Sequence, residues 1–474
     1  MNIAGRQAEI ATLQDLLKKN RSEFLAVYGR RRVGKTFIVR EVYKKNIVFE
    51  CSGLHQKEFS QQLENFWLTL HEYSPNSRLA PSPKTWLQAF SLLKAYLNTL
   101  KGEEKKVIFL DEIPWFETPK SGFLAALDNF WNQYCTKRDD IILVICGSAA
   151  SWIINKVIND TGGLHNRVTK HLQLMPFTLS ETKSFLALQG VRLTNKDIAL
   201  LYMCIGGIPF YLRDIEPGQS VPQILDSMFF APQATLRHEF QNLYAALFKN
   251  SAHHEAVVGA LSKKSKGLTR AEIIAATQIN SGGALTMTIR ELIECGFVKQ
   301  IFPVHKTKEE SLFRLMDEFT LFYFKFLSGT KANNSWLLLA NQAAFKSWSG
   351  YAFENLAIRH AFAIKKALGI HGVITNEYAW QKKKDDQSAG VQIDFIIDRA
   401  DNCINLLEMK FYQNEYEMTE KDADSIRKKI QVFQQQTNTH KNIFPTLLTV
   451  FGAVKNKHYL SIISHQLSVE DLFA

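Results

Sequence analysis

Residues Gly29 to Thr36, GRRRVGKT, fit the pattern GxxxxGK[ST] in full, and no other stretch constrains the fold as strongly. FLAVY before it is apolar enough for a buried strand, and FIVREVY after it has helical periodicity. A strand, a glycine-framed turn and a helix in that order let backbone N–H groups curl toward phosphate oxygens. The helix N-terminus adds its partial positive charge. Gly29, Arg30, Arg31, Arg32, Val33 and Gly34 would form the cradle. Lys35 would reach the β- and γ-phosphates, and Thr36 would hold Mg²⁺ through its hydroxyl. ATP and Mg²⁺ are therefore the expected cofactors. The three arginines sit at free positions of the pattern, and three uses stay open for them: solvation, a DNA backbone or an adjoining subunit.

A loop of this kind works with a second acid. KKVIFLDEIPWF supplies one, because VIFL is a short apolar strand ending in Asp111 and Glu112. Asp111 is expected to bind Mg²⁺ and Glu112 to polarise an attacking water, an arrangement suited to hydrolysis. NIVFECSG lies between the loop and this strand as a further strand. IILVICGSAA follows and ends in Ser148, whose hydroxyl could sense the γ-phosphate, and HLQLMPF makes a fifth strand. Strands alternating with helices imply an α/β fold with a parallel sheet and a nucleotide at its carboxyl ends.

With 474 residues the chain should hold about two to four domains. A formal net charge of +11 and a pI near 9.1 favour a polyanionic partner. No run approaches the roughly 18 apolar residues of a membrane span. MNIAGRQAEI lacks the basic and apolar regions of a signal peptide. The six cysteines (51, 135, 146, 204, 295 and 403) have no metal-ligand spacing. Buried thiols in a reducing cytoplasm are the expectation, with no membrane partner.

GRQAEIATLQDLL, GRRRVGKT, FLDE, GSA, GGLHNRVTKHLQLMPFTLSE and GGIPFYL, in that order, resemble the archaeal-type ATPases of the AAA-plus/STAND branch of P-loop NTPases. The resemblance covers roughly residues 1 to 330. It implies that Gly5 and Arg6 lie near the adenine, and that Gly207, Ile208 and Pro209 form part of a lid close to the nucleotide. It makes Arg167 a candidate catalytic finger or sensor for the γ-phosphate; a surface arginine at a helix end is the alternative. Pro209 is equally compatible with a helix N-terminus.

Residues 178 to 250 are helical in pattern. Three helical patterns follow from His254 to Gly296 and lead to the short strand FVKQIF, the order of a winged helix-turn-helix. Its third helix carries a single cation, Arg290, so DNA contact and interdomain packing both stay open.

The last 140 or so residues need a separate account. SWSGYAFENLAIRHAFAI reads as a helix with Glu354 near its start, lacking a partner at i+3 or i+4. VQIDFIID and CINLLEMKF read as strands joined by a tight turn at RADN. A turn near residue 400 or 401 sets Asp394 level with Leu407, next to Glu408, and Lys410 shares the Glu408 face. Two carboxylates and a lysine at one spot suit a metal-dependent phosphodiesterase. Asp394 and Glu408-Met409-Lys410 resemble the PD-(D/E)XK nuclease core, which implies Mg²⁺ or Mn²⁺ on Asp394 and Glu408 and a catalytic role for Lys410. Glu354 matches the acidic residue of that family's first helix. Gln392-Ile393 departs from the family pattern, and an exposed Glu–Lys ion pair is the alternative for ExK. Lys382, Lys383 and Lys384, in a polar loop before these strands, suit a DNA backbone or simple solvation.

The expected organisation is a P-loop ATPase core over 1–177, a helical lid over 178–250, a winged helix-turn-helix over 251–330 and a C-terminal α/β PD-(D/E)XK nuclease-like domain over 331–474. The expected function is ATP hydrolysis coupled to a metal-dependent DNA endonuclease, with DNA as partner and a homo-oligomer as one option. The alternatives are an NTP switch whose tail only binds nucleic acid or protein, and a defence or toxin module.

Overall fold

The computed structural model describes residues 3–74, 81–159, 164, 166–248, 251–302, 311–329, 335–382 and 390–473. The chain divides into two compact units, Met1–Pro176 and Phe177–Ala474.

The first unit is built on five parallel strands: β1 (Glu23–Gly29), β2 (Ile47–Ser52), β3 (Lys106–Asp111), β4 (Ile141–Gly147) and β5 (Lys170–Leu174), in spatial order β2-β3-β4-β1-β5. Strands β1, β3 and β4 are buried along their whole length, as expected for apolar runs covered by helices on both faces. β5 is an edge strand, and most of it is exposed or half-buried. Tyr28 pairs with Gly147 and Leu110 with Ile145, so β1, β3 and β4 end at one level. The loop after β1, the acids after β3 and Ser148 after β4 thereby meet at one edge of the sheet. Trp86 anchors a buried aromatic cluster with Phe66, Phe90, Phe116 and Phe123 under that sheet. Burying each such ring contributes on the order of 2 to 3 kcal/mol.

The second unit starts with helices Leu179–Leu188, Asn195–Ile205, Pro209–Leu212, Val221–Leu225 and Glu239–Leu247. Gly207 is required here, because a Cβ on it would lie 2.1 Å from the Phe177 carbonyl oxygen. Helices Ser251–Ser262, Arg270–Thr277 and Gly283–Glu294 follow, then an antiparallel hairpin of β6 (Val298–Ile301) and β7 (Leu312–Leu315). The aromatic run after it is helical and packs inward through Phe319, Phe322 and Phe326.

A second sheet has the order β14-β12-β10-β9-β8. Its strands are β8 (Thr375–Lys382), β9 (Val391–Arg399), β10 (Cys403–Lys410), β12 (Asn442–Thr449) and β14 (His465–Ser468); β11 (Tyr416–Glu417) and β13 (Ala453–Val454) pair separately. β8, β9 and β10 are antiparallel neighbours, whereas β10, β12 and β14 run parallel. Helix Glu420–Thr437, capped by the reciprocal Thr419–Asp422 pair, lays Ile426 and Phe433 onto this sheet.

The turn at RADN is present, with Asn402 at φ +62°, and its register differs by one residue from the expected one. Leu407 pairs with Phe395, which carries Asp394 on to the level of Glu408. Glu354 lies in the second half of helix Ala343–Arg359, not near its start. Lys382 closes β8 and is not in a loop; Lys383 and Lys384 fall outside the described residues. Five cysteines are buried, but Cys403, at the start of β10, is half-buried. Among the described residues no helix is long and apolar enough to cross a membrane.

Candidate functional site

Gly29 has φ +142°, and a Cβ there would lie 2.2 Å from the Leu174 carbonyl oxygen, so only glycine lets the loop leave β1 beside β5. Arg32 at φ +71° and Gly34 at φ +92° complete the curl, and helix Lys35–Val42 begins at once. The Lys35 side chain is buried, and its ammonium donates to the carbonyls of Gly29 and Arg30 at 3.1 and 3.0 Å. Its charge thus already lies over the loop, held by neutral oxygens that a phosphate can replace.

Thr36 donates its hydroxyl to Asp111 Oδ2 at 2.8 Å, joining the first turn of the helix to the end of β3. Asp111 Oδ1 in turn accepts the backbone N–H of Glu112 at 2.9 Å. Glu112 is left-handed at φ +46°, which turns its side chain toward β4. There Glu112 Oε2 accepts from the Ser148 hydroxyl at 3.0 Å and from the Ser148 backbone N–H at 3.3 Å. Thr36, Asp111, Glu112 and Ser148 form one connected chain along the carboxyl edge of the sheet. Burial pushes the Cys146 thiol well up, and the Asp111 carboxylate adds to that shift.

Arg6 is buried, and its guanidinium donates to the carbonyls of Val33 at 3.3 Å and Met175 at 2.5 Å. It ties the start of the chain to the loop. Arg30 is buried, while Arg31 and Arg32 are half-buried. Arg167 stands 3.9 Å from Asp128 with about half its side chain exposed. Pro209 opens its short helix, directly after the Gly207 approach to Phe177.

The nucleotide and its metal fit these residues. The cradle excludes a Cβ at Gly29, a buried ammonium lies on neutral carbonyls, and a hydroxyl and a carboxylate sit within hydrogen-bond distance of one another. That is the donor set a magnesium triphosphate requires.

The second group of candidates lies on the C-terminal sheet. Glu408 is held at 3.0 Å by Lys410 and at 2.6 Å by Lys429 of helix Glu420–Thr437. Burial would raise the Glu408 carboxyl, but the two ammonium groups outweigh it and hold the group below its ordinary range. Burial likewise opposes the Lys410 charge, and Glu408 restores it. Glu354 pairs with Arg314 of β7 at 3.0 Å. Burial and the neighbouring Asp394 carboxylate lift Glu354 to about 7 despite Arg314. The carboxyl groups of Glu354, Asp394 and Glu408 are therefore within electrostatic reach of one another. Asp394 itself accepts from the Gln392 amide.

Among the described residues no group of three or more His, Cys, Asp or Glu could hold an ion. Cations of the chain already occupy Glu408 and Glu354. The sequence reading missed Arg314 and Lys429. Arg314 leaves no local signal, being 40 residues from Glu354. Lys429 does leave one: it falls between the buried Ile426 and Phe433 at helical spacing, so its stem lies on the inward face.

Residues 3–215 match the sequence model of a family described as an ATPase domain predominantly from Archaea, and this part of the chain is an ATPase domain of archaeal type. An uncharacterised protein of Methanocaldococcus jannaschii is 22% identical over 371 residues, covering 76% of this chain and 77% of that protein. An uncharacterised ATP-binding protein of the same organism is 24% identical over 257 residues, covering 46% of this chain and 69% of its own. Among solved structures, the Walker-type ATPase of Pyrococcus abyssi has a TM-score of 0.48 at 14% identity, covering 68% of this chain and 96% of that one. The ORC2 protein of Aeropyrum pernix, in its ADPNP–ADP complexes, has a TM-score of 0.41 at 13% identity, covering 68% and 94%.

Proposed function

We propose that the chain is an ATP-binding and ATP-hydrolysing switch of the AAA-plus/STAND type. The observation that carries this reading is the Thr36–Asp111 hydrogen bond of 2.8 Å beside a Lys35 ammonium buried in the loop. Magnesium would supply charge neutralisation of the phosphates there. The chain's own residues do the rest. Gly29 to Gly34 present backbone N–H groups, Lys35 moves from carbonyl to phosphate oxygens, and Thr36 and Asp111 hold the cation. Glu112 orients water once Ser148 releases it. Gly5 and Arg6 border the base, Pro209 belongs to the lid, and Arg167 acts as the finger or sensor. Phosphate release by the parent and by Glu112→Gln tests the reading. Equal turnover by the two would overturn the assignment of Glu112.

The C-terminal unit carries the output. We read residues 251–330 as a winged helix-turn-helix, supported by three helices followed by the β6–β7 hairpin. For the tail, a metal-dependent DNA endonuclease is supported by Asp394 and Glu408 at one level of adjacent strands with Lys410 two residues on. A tail that only binds nucleic acid or a protein partner is supported by the ion pairs that occupy Glu354 and Glu408. In the observed arrangement the ion pairs favour binding over cleavage. Strand cleavage by the purified chain in Mg²⁺ and Mn²⁺, with and without ATP, decides between them.

A further inference from the structure

Within the second unit, a cavity of about 450 Å³ lies between β6, the β8–β9 pair and Ile358 of helix Ala343–Arg359. That is within the range of about 300 to 1,000 Å³ typical of small-ligand sites. One wall is apolar, made of Ile358, Phe395 and Tyr378, and Phe302, more than half exposed, also lines it. Two of the charged groups on the other side are paired. Glu377 pairs with Lys365 at 2.9 Å, and Asp398 pairs with Lys441 at 2.6 Å. Two are not paired among the described residues: Asp394, which accepts only from the Gln392 amide, and Lys299. Lys299 lines the cavity half-buried, and it makes no hydrogen bond or salt bridge among the described residues.

Its setting is unfavourable for a cation. On the β6–β7 hairpin Lys299 stands directly opposite Arg314, and like charges in that position repel. Arg314 is compensated by Glu354, and Lys299 has no such ion pair among the described residues. Burial pushes the Lys299 ammonium below its usual range, Glu377 pulls the other way, and Arg314, Arg359 and Lys365 push it lower again. An anion beside Lys299 would relieve both the repulsion and the lost hydration.

We propose that this cavity takes one unstacked nucleotide of a single-stranded nucleic acid, with a phosphate on the Lys299 ammonium and the base against Phe395, Tyr378 and Ile358. The ligand combines an anion with a flat apolar face, as the cavity combines an ammonium that has no ion pair among the described residues with an aromatic wall. A duplex cannot enter, because its bases are stacked and paired, whereas an unpaired base has a free face for the wall. The inference rests on the reading of the C-terminal unit as nucleic-acid-binding, and it does not need cleavage.

The test is fluorescence anisotropy of the full chain with a labelled ten-nucleotide oligothymidylate and with a blunt duplex, in EDTA so that cleavage cannot contribute. The parent should bind the single strand at least tenfold more tightly than the duplex. Lys299→Gln should weaken single-strand binding about tenfold and reduce the slope of log K against log salt by about 0.7, the share of one phosphate contact on a single strand. Lys299→Arg should restore most of the affinity. Ile358→Trp, which fills the cavity, should weaken the single strand alone, and unchanged ATP hydrolysis in each variant reports intact folding of the P-loop unit. Parent-like affinity and slope in Lys299→Gln would overturn the cavity assignment while leaving nucleic-acid binding in place. Absence of any nucleic-acid binding by the parent would overturn both readings. Competition by thymidine 5′-monophosphate at the oligomer's own affinity would replace the strand with a free nucleotide.

Discussion

Ser148 holds Glu112: its hydroxyl donates to Glu112 Oε2 at 3.0 Å, and its backbone N–H donates to the same oxygen at 3.3 Å. A carboxylate bound this way to the end of β4 is not free to orient water near the loop. The contact can be exchanged only if Ser148 finds another acceptor, and a γ-phosphate oxygen is one. Glu112→Gln should therefore keep ATP affinity and lose about 10²-fold or more in kcat, the scale of one positioned catalytic group. Ser148→Ala should also lower kcat, by a smaller factor and with little change in KM. Steady-state phosphate release resolves both. A Ser148→Ala protein with parent kcat would show that the contact has no part in turnover.

Removal of the loop charge acts earlier. Lys35→Ala deletes the ammonium now resting on the Gly29 and Arg30 carbonyls, and ATP binding should become undetectable by calorimetry at micromolar protein. Thr36→Ala keeps that ammonium and deletes the hydroxyl that meets Asp111. Nucleotide should still bind this variant, but its affinity should cease to depend on Mg²⁺. A Thr36→Ala protein whose ATP affinity still rises with Mg²⁺ as in the parent would remove Thr36 from the metal site.

The two candidate sites differ in how far their residues can be read from the chain. GRRRVGKT and VIFLDE are each complete within a few residues, so local pattern is enough, and the sheet brings them together simply by ending β1 and β3 at one level. The C-terminal group depends on distant partners. Glu354 has no local ion-pair partner, yet Arg314 reaches it from β7, and only the packed helix Ala343–Arg359 reveals that. The one-residue difference at Asp394 is set by where the turn is centred. The β9–β10 pairs run without a shift from Ile404–Asp398 to Leu407–Phe395 and centre on residue 401, whereas a centre half a residue earlier would put Asp394 opposite Leu407. Lys299 is invisible for a third reason: its cavity wall comes from β8 and β9, far along the chain.

Protonation of His360 gives a stability prediction. Its Nε2 accepts the Leu179 backbone N–H at 3.0 Å, so the proton must sit on Nδ1, which donates to the Leu356 carbonyl at 2.8 Å. A second proton would break the bond to Leu179 and place a charge in a buried site. Burial lowers the group to about 4 from its usual 6.5, with the Leu356 bond opposing and Arg359 adding to the shift. Because the folded value is depressed, the contribution is fully present above pH 6.5 and falls as the pH drops toward 4. The unfolded chain takes up the proton first, so the loss by pH 4.5 should be about 2 to 3 kcal/mol. Urea unfolding of the C-terminal unit at pH 7.5 and 4.5, for the parent and for His360→Asn, isolates it. A pH-dependent loss of the same size in His360→Asn would assign it to other groups.

The ion pairs at Glu408 set the sign of the last prediction. Lys410 and Lys429 both lie on that carboxylate, and Lys429 is the closer at 2.6 Å. If Asp394 and Glu408 serve a divalent ion, the two lysines compete with it. Lys429→Met, which keeps the apolar stem and deletes the charge, should then strengthen Mn²⁺ binding in calorimetric titration, and Asp394→Ala should abolish it. Under the endonuclease reading, Lys410→Ala should leave metal and DNA bound while cleavage slows by about 10² or more. ATP hydrolysis should survive all three substitutions, because Lys35, Thr36, Asp111, Glu112 and Ser148 belong to the first unit. If Lys429→Met gains no Mn²⁺ affinity and the parent cuts no DNA form in either metal, Glu408 is a structural ion-pair centre. The C-terminal sheet would then serve binding alone, since a carboxylate buried between two ammonium groups has no vacancy to offer a metal.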